Sequence, residues 1–316
     1  MQPARVLLVR LDGIGDALVC APLIAALRDA GHIVGLALSE RNAEIFAPGV
    51  AVATHVLERV PWPRHGSTPA SRARADAEIA AQRYDIALIA SEEPEAYDLA
   101  APAPLRVGFT TGWAKPFKSA WIERRVTTAI RRAATVRGAK AHEAEILFEL
   151  GRALVAAEPT RDPAHLRPLI AGDAAVPERA GVVVQLGAKW KTIGVGDAVL
   201  GRATALLAER GARFIVAPAE RAAVQAQLPA LTLDAPASTR AWIARIDGAA
   251  TLVSADTGAA HLAGMLGVPV VDVFPDAAFD AQTRRWQPWA SSSIVVRASQ
   301  LSRAPETLLA QALDAV

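Results

Sequence analysis

Short apolar runs alternate with longer amphipathic stretches along almost the whole chain of 316 residues. The pattern opens with an apolar run at 5–11, a helical stretch at 16–29 that ends at Gly31, and a second apolar run at 33–38. Runs that are apolar throughout are typical of parallel strands, because helices cover both faces of a parallel sheet. The alternation therefore predicts a doubly wound α/β fold.

The alternation stops once and then restarts. Four prolines fall within 159–180, where they interrupt the helical and the strand period, so we predict a linker there. It separates an N-terminal domain (1–158) from a C-terminal domain (181–316), and the last helix, expected over 302–315, is a candidate to pack back on the N-terminal domain. Ligands of such sheets bind at the carboxyl ends of the strands, so two domains facing a cleft suit a reaction between two bound molecules.

Composition excludes several classes of protein. Hydrophobic residues make up 52% and charged residues 21%, which excludes an intrinsically disordered chain. A single cysteine, Cys20, allows neither an internal disulfide nor a thiolate metal site. A net charge of +2 without a recognised module does not point to nucleic acid as a partner. No export signal or membrane-length apolar run is present, so we expect a cytoplasmic protein.

The first candidate motif is Leu11-Asp-Gly-Ile-Gly-Asp16, between the first strand and the first helix. It is an incomplete dinucleotide fingerprint, because the third glycine position holds Leu18. Asp16 falls in the first turn of the helix. It is either a general base at the mouth of a cleft or an acid that complements the helix dipole.

The second motif is Ser254-Ala-Asp-Thr-Gly-Ala-Ala-His261, where a strand ends and a helix begins. The free amides of Thr257 and Gly258 and the helix N-terminus predict an anion site suited to a pyrophosphate. His261 shares a helix face with Thr257 and could donate to the same anion. The alternative is that Asp256 is a plain N-cap and His261 a packed helix residue.

Two further loops follow strands of the C-terminal half. Gly187-Ala-Lys-Trp-Lys-Thr192 carries two lysines that can neutralise phosphates or, alternatively, lie solvated on the surface. Glu220 follows a strand that ends at Ala217. It could bond a ribose hydroxyl or act as an ordinary first-turn acid.

The segment 106–140 has nine basic residues, one acid and four interleaved aromatics. Such a segment could bind an anionic acceptor, lie against an anionic membrane, or form a solvated loop. The basic residues are Arg106, Lys115, Lys118, Arg124, Arg125, Arg131, Arg132, Arg137 and Lys140, and the aromatics are Phe109, Trp113, Phe117 and Trp121.

Together these segments resemble glycosyltransferase family 9, the ADP-heptose:lipopolysaccharide heptosyltransferases. The matching stretches, in order, are 5–16, 142–147, 182–191 and 254–271. The last is the most specific, because 256–261 is similar to the family's Asp-Thr-Gly-x-x-His signature.

The resemblance implies a glycosyltransferase B fold of two Rossmann-like domains and an inverting sugar transfer that needs no metal and no cofactor. It implies that Asp16 is the general base, that the acceptor binds the N-terminal domain and that the nucleotide sugar binds the C-terminal one. The lysine that contacts the diphosphate in the family would correspond here to Lys189, to Lys191, or to neither, because the stretch after this loop departs from the family's pattern. The expected donor-binding residues are Gly187, Lys189, Lys191, Glu220, Asp256, Thr257, Gly258 and His261, and the expected acceptor-binding residues are Gly15, Arg106, Lys115 and Lys118.

The expected reaction is transfer of a sugar, with heptose from ADP-heptose as the leading donor, to a lipopolysaccharide-type or other cell-surface saccharide. The acceptor would be an anionic saccharide or glycolipid, with a peripheral contact on the cytoplasmic face of the inner membrane. One alternative is a nucleotide-sugar epimerase or hydrolase on the same fold, which would consume donor without any acceptor. Another is a non-catalytic protein that only binds nucleotide sugars.

Overall fold

The computed structural model describes residues 2–60, 66–132 and 141–315. They form two compact units, unit 1 (Met1–Thr135 and Glu143–Thr160) and unit 2 (Val136–His142 and Arg161–Val316). None of the helices in these ranges is long and apolar enough to cross a membrane.

Unit 1 is built on a six-stranded parallel sheet with the order β3-β2-β1-β4-β5-β6. Its strands are β1 (Arg5–Arg10), β2 (Ile33–Ser39), β3 (Ala53–Leu57), β4 (Ile86–Ile89), β5 (Leu105–Thr110) and β6 (Thr128–Arg131). Its helices are α1 (Ile14–Leu18), α2 (Ala21–Asp29), α3 (Pro69–Gln82), α4 (Pro94–Leu99), α5 (Pro116–Glu123) and α6 (Glu143–Phe148). The central strand β1 is buried from Val6 to Arg10, as its apolar run predicts.

The first helix differs from the expected single helix at 16–29. It is divided into α1 and α2 around Val19 and Cys20. Pro22 explains the division, because it has no N–H to donate to a carbonyl of the preceding turn. The helix expected at about 141–157 is also shorter, since α6 ends in a 3-10 turn at Glu149–Gly151.

Unit 2 repeats the same plan, with a parallel sheet in the order β12-β11-β10-β7-β8-β9. Its strands are β7 (Val182–Leu186), β8 (Arg213–Val216), β9 (Leu233–Asp234), β10 (Thr251–Ala255), β11 (Val270–Phe274) and β12 (Ser293–Arg297). Its helices are α7 (Pro163–Ala171), α8 (Lys189–Thr192), α9 (Asp197–Glu209), α10 (Arg221–Gln227), α11 (Thr239–Asp247), α12 (Gly258–Leu266), α13 (Phe279–Trp286), α14 (Ala298–Arg303) and α15 (Pro305–Ala315).

The stretch expected as a linker contains a packed helix. Pro163 occupies the first turn of α7, where its missing N–H is not needed, and Asp162 caps that turn. Arg167 of α7 forms a buried ion pair with Asp247 at 2.6 Å, which ties the helix to α11. Residues 163–171 therefore belong to the body of unit 2.

The C-terminal helix packs within its own unit. Leu309 and Ala312 of α15 join the core formed by Leu200, Ala203 and Leu207 of α9. The contacts that the structure describes for α15 are thus with elements of unit 2.

Both sheets have the strand order of a doubly wound Rossmann fold, with the first strand of each unit beside the fourth. The chain leaves these two neighbouring strands toward opposite faces of the sheet, which opens a crevice at their carboxyl ends. In unit 1 this switch point lies between β1 and β4, and in unit 2 it lies between β7 and β10. The expected pair of Rossmann-like domains is confirmed.

Candidate functional site

Arg10 organises the switch point of unit 1. It is the last residue of β1, only 5% exposed, and its guanidinium donates to the Ala90 carbonyl that follows β4. The same guanidinium contacts Asp12 at 3.2 Å and Asp16 at 2.6 Å. Burial opposes the charge of Arg10, but the neighbouring carboxylates outweigh burial and raise its pKa.

Two buried polar side chains complete this cluster. Ser91 donates to the Asp12 carboxylate at 2.6 Å and accepts the Leu11 N–H at 2.7 Å. Asn42 donates to the carbonyl of Asp12 at 3.0 Å. The loops after β1 and β4 are therefore fixed to each other, and sequence reasoning did not single out Arg10, Ser91 or Asn42.

Asp16 lies where a proton acceptor could work. Its Oδ1 accepts from Arg10 and its Oδ2 accepts the Gly13 N–H at 3.2 Å, so the carboxylate has one orientation. Its side chain is 33% exposed, which leaves it open to a ligand. Gly15 precedes it in α1 and adds no side chain at this edge.

Two lysines of the basic segment, Lys115 and Lys118, lie at the same carboxyl end of the unit 1 strands. Both follow β5, and Lys118 donates to Glu92 at 2.6 Å. Burial raises the pKa of Glu92, but Lys118 and Arg132 overcome that effect and leave it lowered. Phe117, between the two lysines, is 91% exposed.

Arg106 is not brought to this edge. It lies at the amino end of β5 and donates to the carbonyls of Arg125 and Ala103 at 2.8 and 2.7 Å. The switch point lies at the carboxyl ends of the strands. The first residues of β5 lie at the opposite, amino end of the strand, away from the switch point. The prediction that Arg106 joins an acceptor site with Asp16 is therefore corrected.

The aromatic residues of the segment also separate. Phe109 is buried in β5, and Trp121 packs edge-on against Tyr97. The side chain of Trp113, and the residues Arg137 and Lys140, lie outside the described part of the chain. Phe117 is the aromatic that the structure shows exposed.

In unit 2, β10 leads through a tight turn into α12, as the sequence predicts. Thr257 is the N-cap, and its hydroxyl accepts the Ala259 N–H at 3.3 Å and meets the Ser254 hydroxyl at 3.0 Å. Within the described ranges, the N–H groups of Thr257 and Gly258 have no acceptor. Two amides without an acceptor at a helix start are groups that can donate to an anion.

Lys189 and Asp256 meet across the switch point of unit 2. Lys189 begins α8 after β7, and its Nζ lies 3.9 Å from Oδ2 of Asp256. Lys191 is on the exposed side of the same short helix. Lys189 is therefore the lysine that the structure brings to the start of α12.

Glu220 joins the loop that follows β7. Its carboxylate accepts the Ala188 N–H at 3.1 Å. A Cβ on Gly187 would lie 2.5 Å from Oε2 of Glu220, so glycine at this position leaves room for the carboxylate. The structure thus places Gly187 and Glu220 together.

His261 is 4% exposed and its ring contacts Trp286 edge-on, with centroids 5.7 Å apart. It lies one turn into α12, as expected, but it is largely enclosed by the unit. Both the ligand-contacting and the packed interpretation remain compatible with this position.

Asp272 is the residue of this region that sequence reasoning missed. It is fully buried in β11, and its pKa is raised by burial and by the nearby Asp256. The signal was available, since one carboxylate interrupts the apolar run at 268–274. No group of three or more metal-ligating side chains occurs among the described residues.

Comparisons with known proteins bear on the fold and on one part of the sequence. Residues 202–314 match the family described as Glycosyltransferase family 9 (heptosyltransferase). No curated protein sequence matches the chain. A glycosyl transferase family 9 structure from Veillonella parvula is 14% identical with a TM-score of 0.75, covering 99% of this chain and 96% of that chain.

Two Escherichia coli structures are also similar. Heptosyltransferase WaaC with ADP is 18% identical with a TM-score of 0.71, covering 98% of this chain and 99% of that chain. ADP-heptose lps heptosyltransferase II is 14% identical with a TM-score of 0.71, covering 98% of each chain. These similarities show the fold.

The fold of two Rossmann-like domains is thus shared with solved glycosyltransferase family 9 structures, and residues 202–314 are similar to that family in sequence. The family match lies in the C-terminal part of the chain, over residues 202–314.

Proposed function

We propose that this protein is an inverting glycosyltransferase that moves heptose from ADP-heptose to a lipopolysaccharide-type acceptor. The donor would bind at the switch point of unit 2 and the acceptor at that of unit 1. The observation that carries the proposal is the start of α12, where two open amides, Lys189 and the helix dipole favour a diphosphate. The relatives solved with ADP and with ADP-2-deoxy-2-fluoro heptose support this choice of donor.

Asp16 would act as the general base. It would take the proton of the acceptor hydroxyl while the oxygen forms a bond to the anomeric carbon. The bond from that carbon to the diphosphate breaks on the opposite face, so the configuration inverts. Arg10 and the Gly13 N–H hold the carboxylate in the required direction.

The leaving nucleoside diphosphate carries the charge that develops in this step. The amides of Thr257 and Gly258 and the ammonium of Lys189 would stabilise that charge. His261, one turn further along α12, would add a donor to the same group. Glu220 would bond the ribose, because it sits beside the loop after β7 at the same edge. We propose that no metal ion or cofactor takes part.

The acceptor would be an anionic glycolipid. Lys115 and Lys118 lie at the carboxyl edge of the unit 1 sheet, and Phe117 between them is exposed. Cations beside an exposed aromatic ring suit a contact with an anionic membrane surface. Phe117→Ser should reduce binding to vesicles with anionic lipid, and equal binding of both forms would remove this part of the proposal.

Thermal stabilisation by nucleotides tests the donor assignment. ADP at one hundred times its dissociation constant should add about 2.7 kcal/mol, with magnesium or with EDTA. UDP, GDP and NAD are measured in the same way for comparison with ADP. A preference for UDP or GDP would contradict ADP-heptose, and no response to any nucleotide would favour a non-catalytic protein or a different ligand.

A further inference from the structure

Asp272 is placed directly behind the candidate diphosphate site. It is the third residue of β11 and pairs in register with Ser254 of β10, two residues before Asp256. Its side chain is fully buried, and neither carboxyl oxygen has a hydrogen-bond partner within the described part of the chain. A buried carboxyl group without bonds is costly, so its presence calls for a physical explanation.

Asp256 connects this buried group to the surface. Its N–H donates to the carbonyl of Val273 at 3.0 Å, which anchors it beside the end of β11. The exposed fraction of the side chains falls from 42% at Lys189 to 17% at Asp256 and 0% at Asp272. The two carboxyl groups are therefore progressively more buried than the lysine.

If the carboxyl groups of Asp256 and Asp272 both ionise, the single positive charge of Lys189 does not balance their two negative charges. Burial and the charge of Asp256 raise the pKa of Asp272, and Lys189 offsets only part of this shift. Asp272 therefore keeps its proton at a pH where an exposed aspartate has lost it. Of these three groups, one carboxylate and one ammonium are then charged.

Other charged or titratable groups lie on the elements that pack against β11. His261 belongs to α12, Arg285 to α13 and Arg297 to the end of β12. Arg297 is paired with Asp280 at 3.1 Å, and the guanidinium of Arg285 lies over the ring of Trp286. The charges that act on Asp272 are those of Asp256 and Lys189.

We propose that nucleoside diphosphate binding at the start of α12 is coupled to the proton on Asp272, which makes Asp272 a positioning residue acting through Asp256. This inference rests on the proposed donor site. The negative charge of an incoming diphosphate attracts Lys189 away from Asp256. If Asp272 were ionised as well as Asp256, two carboxylates would then face the anion. A proton retained on Asp272 avoids that repulsion, so proton and ligand favour each other's binding.

The dissociation constant of ADP, measured in wild type and in Asp272→Asn over a pH range that begins at the ordinary aspartate value and extends upward, tests the coupling. ADP ionises in the same way in both measurements, so its own titration cancels from the difference between them. We expect wild-type affinity to fall about tenfold more than that of Asp272→Asn as Asp272 loses its proton, because asparagine cannot ionise. Asp276→Asn is the matched control, since Asp276 follows β11, lies exposed and is bonded to Ser299, and it should behave like wild type.

Parallel pH profiles of wild type and Asp272→Asn would overturn the coupling while leaving ADP binding, and so the proposed function, intact. Absence of ADP binding at every pH would overturn both. Proton uptake provides a second measurement that needs no variant. Calorimetric titration of wild type with ADP at several pH values, each in two buffers of different ionisation enthalpy, should show protons taken up in the pH range where Asp272 titrates, and no uptake at any pH would also overturn the coupling.

Discussion

The two switch points have the same position in the same sheet order but opposite electrostatic organisation. In unit 1, Arg10 binds Asp12, Asp16 and a backbone carbonyl, so the charged groups are paired with one another. In unit 2, Lys189 stands 3.9 Å from Asp256, two amides are open, and Asp272 has no bonds within the described residues. The contacts in unit 1 fix the orientation of the Asp16 carboxylate. The open amides and Lys189 in unit 2 leave hydrogen-bond donors available to an anion.

The largest expected effect comes from removing the base. Asp16→Asn should reduce transfer by about 10² to 10⁴-fold, because general base catalysis contributes that much, and should leave ADP affinity nearly unchanged. Steady-state kinetics and calorimetry measure the two quantities. Asp12→Asn is the control, since Asp12 shares Arg10 with Asp16. Retained turnover with weakened ADP binding would show that Asp16 is not the base.

Removing the Arg10 guanidinium from its cluster should destabilise unit 1. Arg10→Met leaves two carboxylates without their common cation, and the loss of a buried ion-pair partner costs about 3 kcal/mol. Urea unfolding measures the difference. Arg74→Met, which removes an exposed pair with Glu58, should cost less than about 1 kcal/mol. Equal losses for the two variants would mean that Arg10 does not organise the cluster.

Unit 2 should respond to pH through Asp272. Its pKa is raised in the folded state, so the folded protein holds a proton that the unfolded chain releases. The free energy of unfolding of wild type therefore falls as pH rises above the ordinary aspartate value, by up to about 1.4 kcal/mol per pH unit. Asp272→Asn should therefore gain stability relative to wild type as the pH rises above the ordinary aspartate value. A difference that stays constant with pH would contradict this assignment.

A smaller effect should follow from filling the space at Gly187. The added methyl group of Gly187→Ala would displace the Glu220 carboxylate from the Ala188 N–H. We expect ADP affinity to fall by about tenfold, the equivalent of about 1.4 kcal/mol. Glu220→Gln should weaken ADP to a similar extent, and the double variant should add little. Full additivity would show that the two residues act separately.

The sequence predicted those parts of the site that depend on local pattern. The strand, turn and helix at 251–266 are read directly from an apolar run, an N-cap and a helical period. The Lys189–Asp256 contact follows only once the two strands are known to be neighbours. Arg106 was misplaced because residues at the start and the end of one strand reach opposite edges of the sheet.

Asp272 shows a different limit. A charged residue inside an apolar strand is visible in the sequence, but its significance depends on what lies beside it. The pairing of β10 with β11 brings Asp256 close, and that pairing joins residues separated along the chain by a complete helix. The division of the first helix at Pro22 was visible from the start, because proline cannot donate the required hydrogen bond.

Release of ADP from ADP-heptose, with and without a lipopolysaccharide core acceptor, tests the central claim most directly. Transfer predicts that ADP appears only when acceptor is present, that EDTA does not stop it, and that the new linkage has inverted configuration. ADP release without acceptor would indicate a hydrolase or epimerase. ADP binding without any turnover would contradict the assignment of Asp16 as a working base.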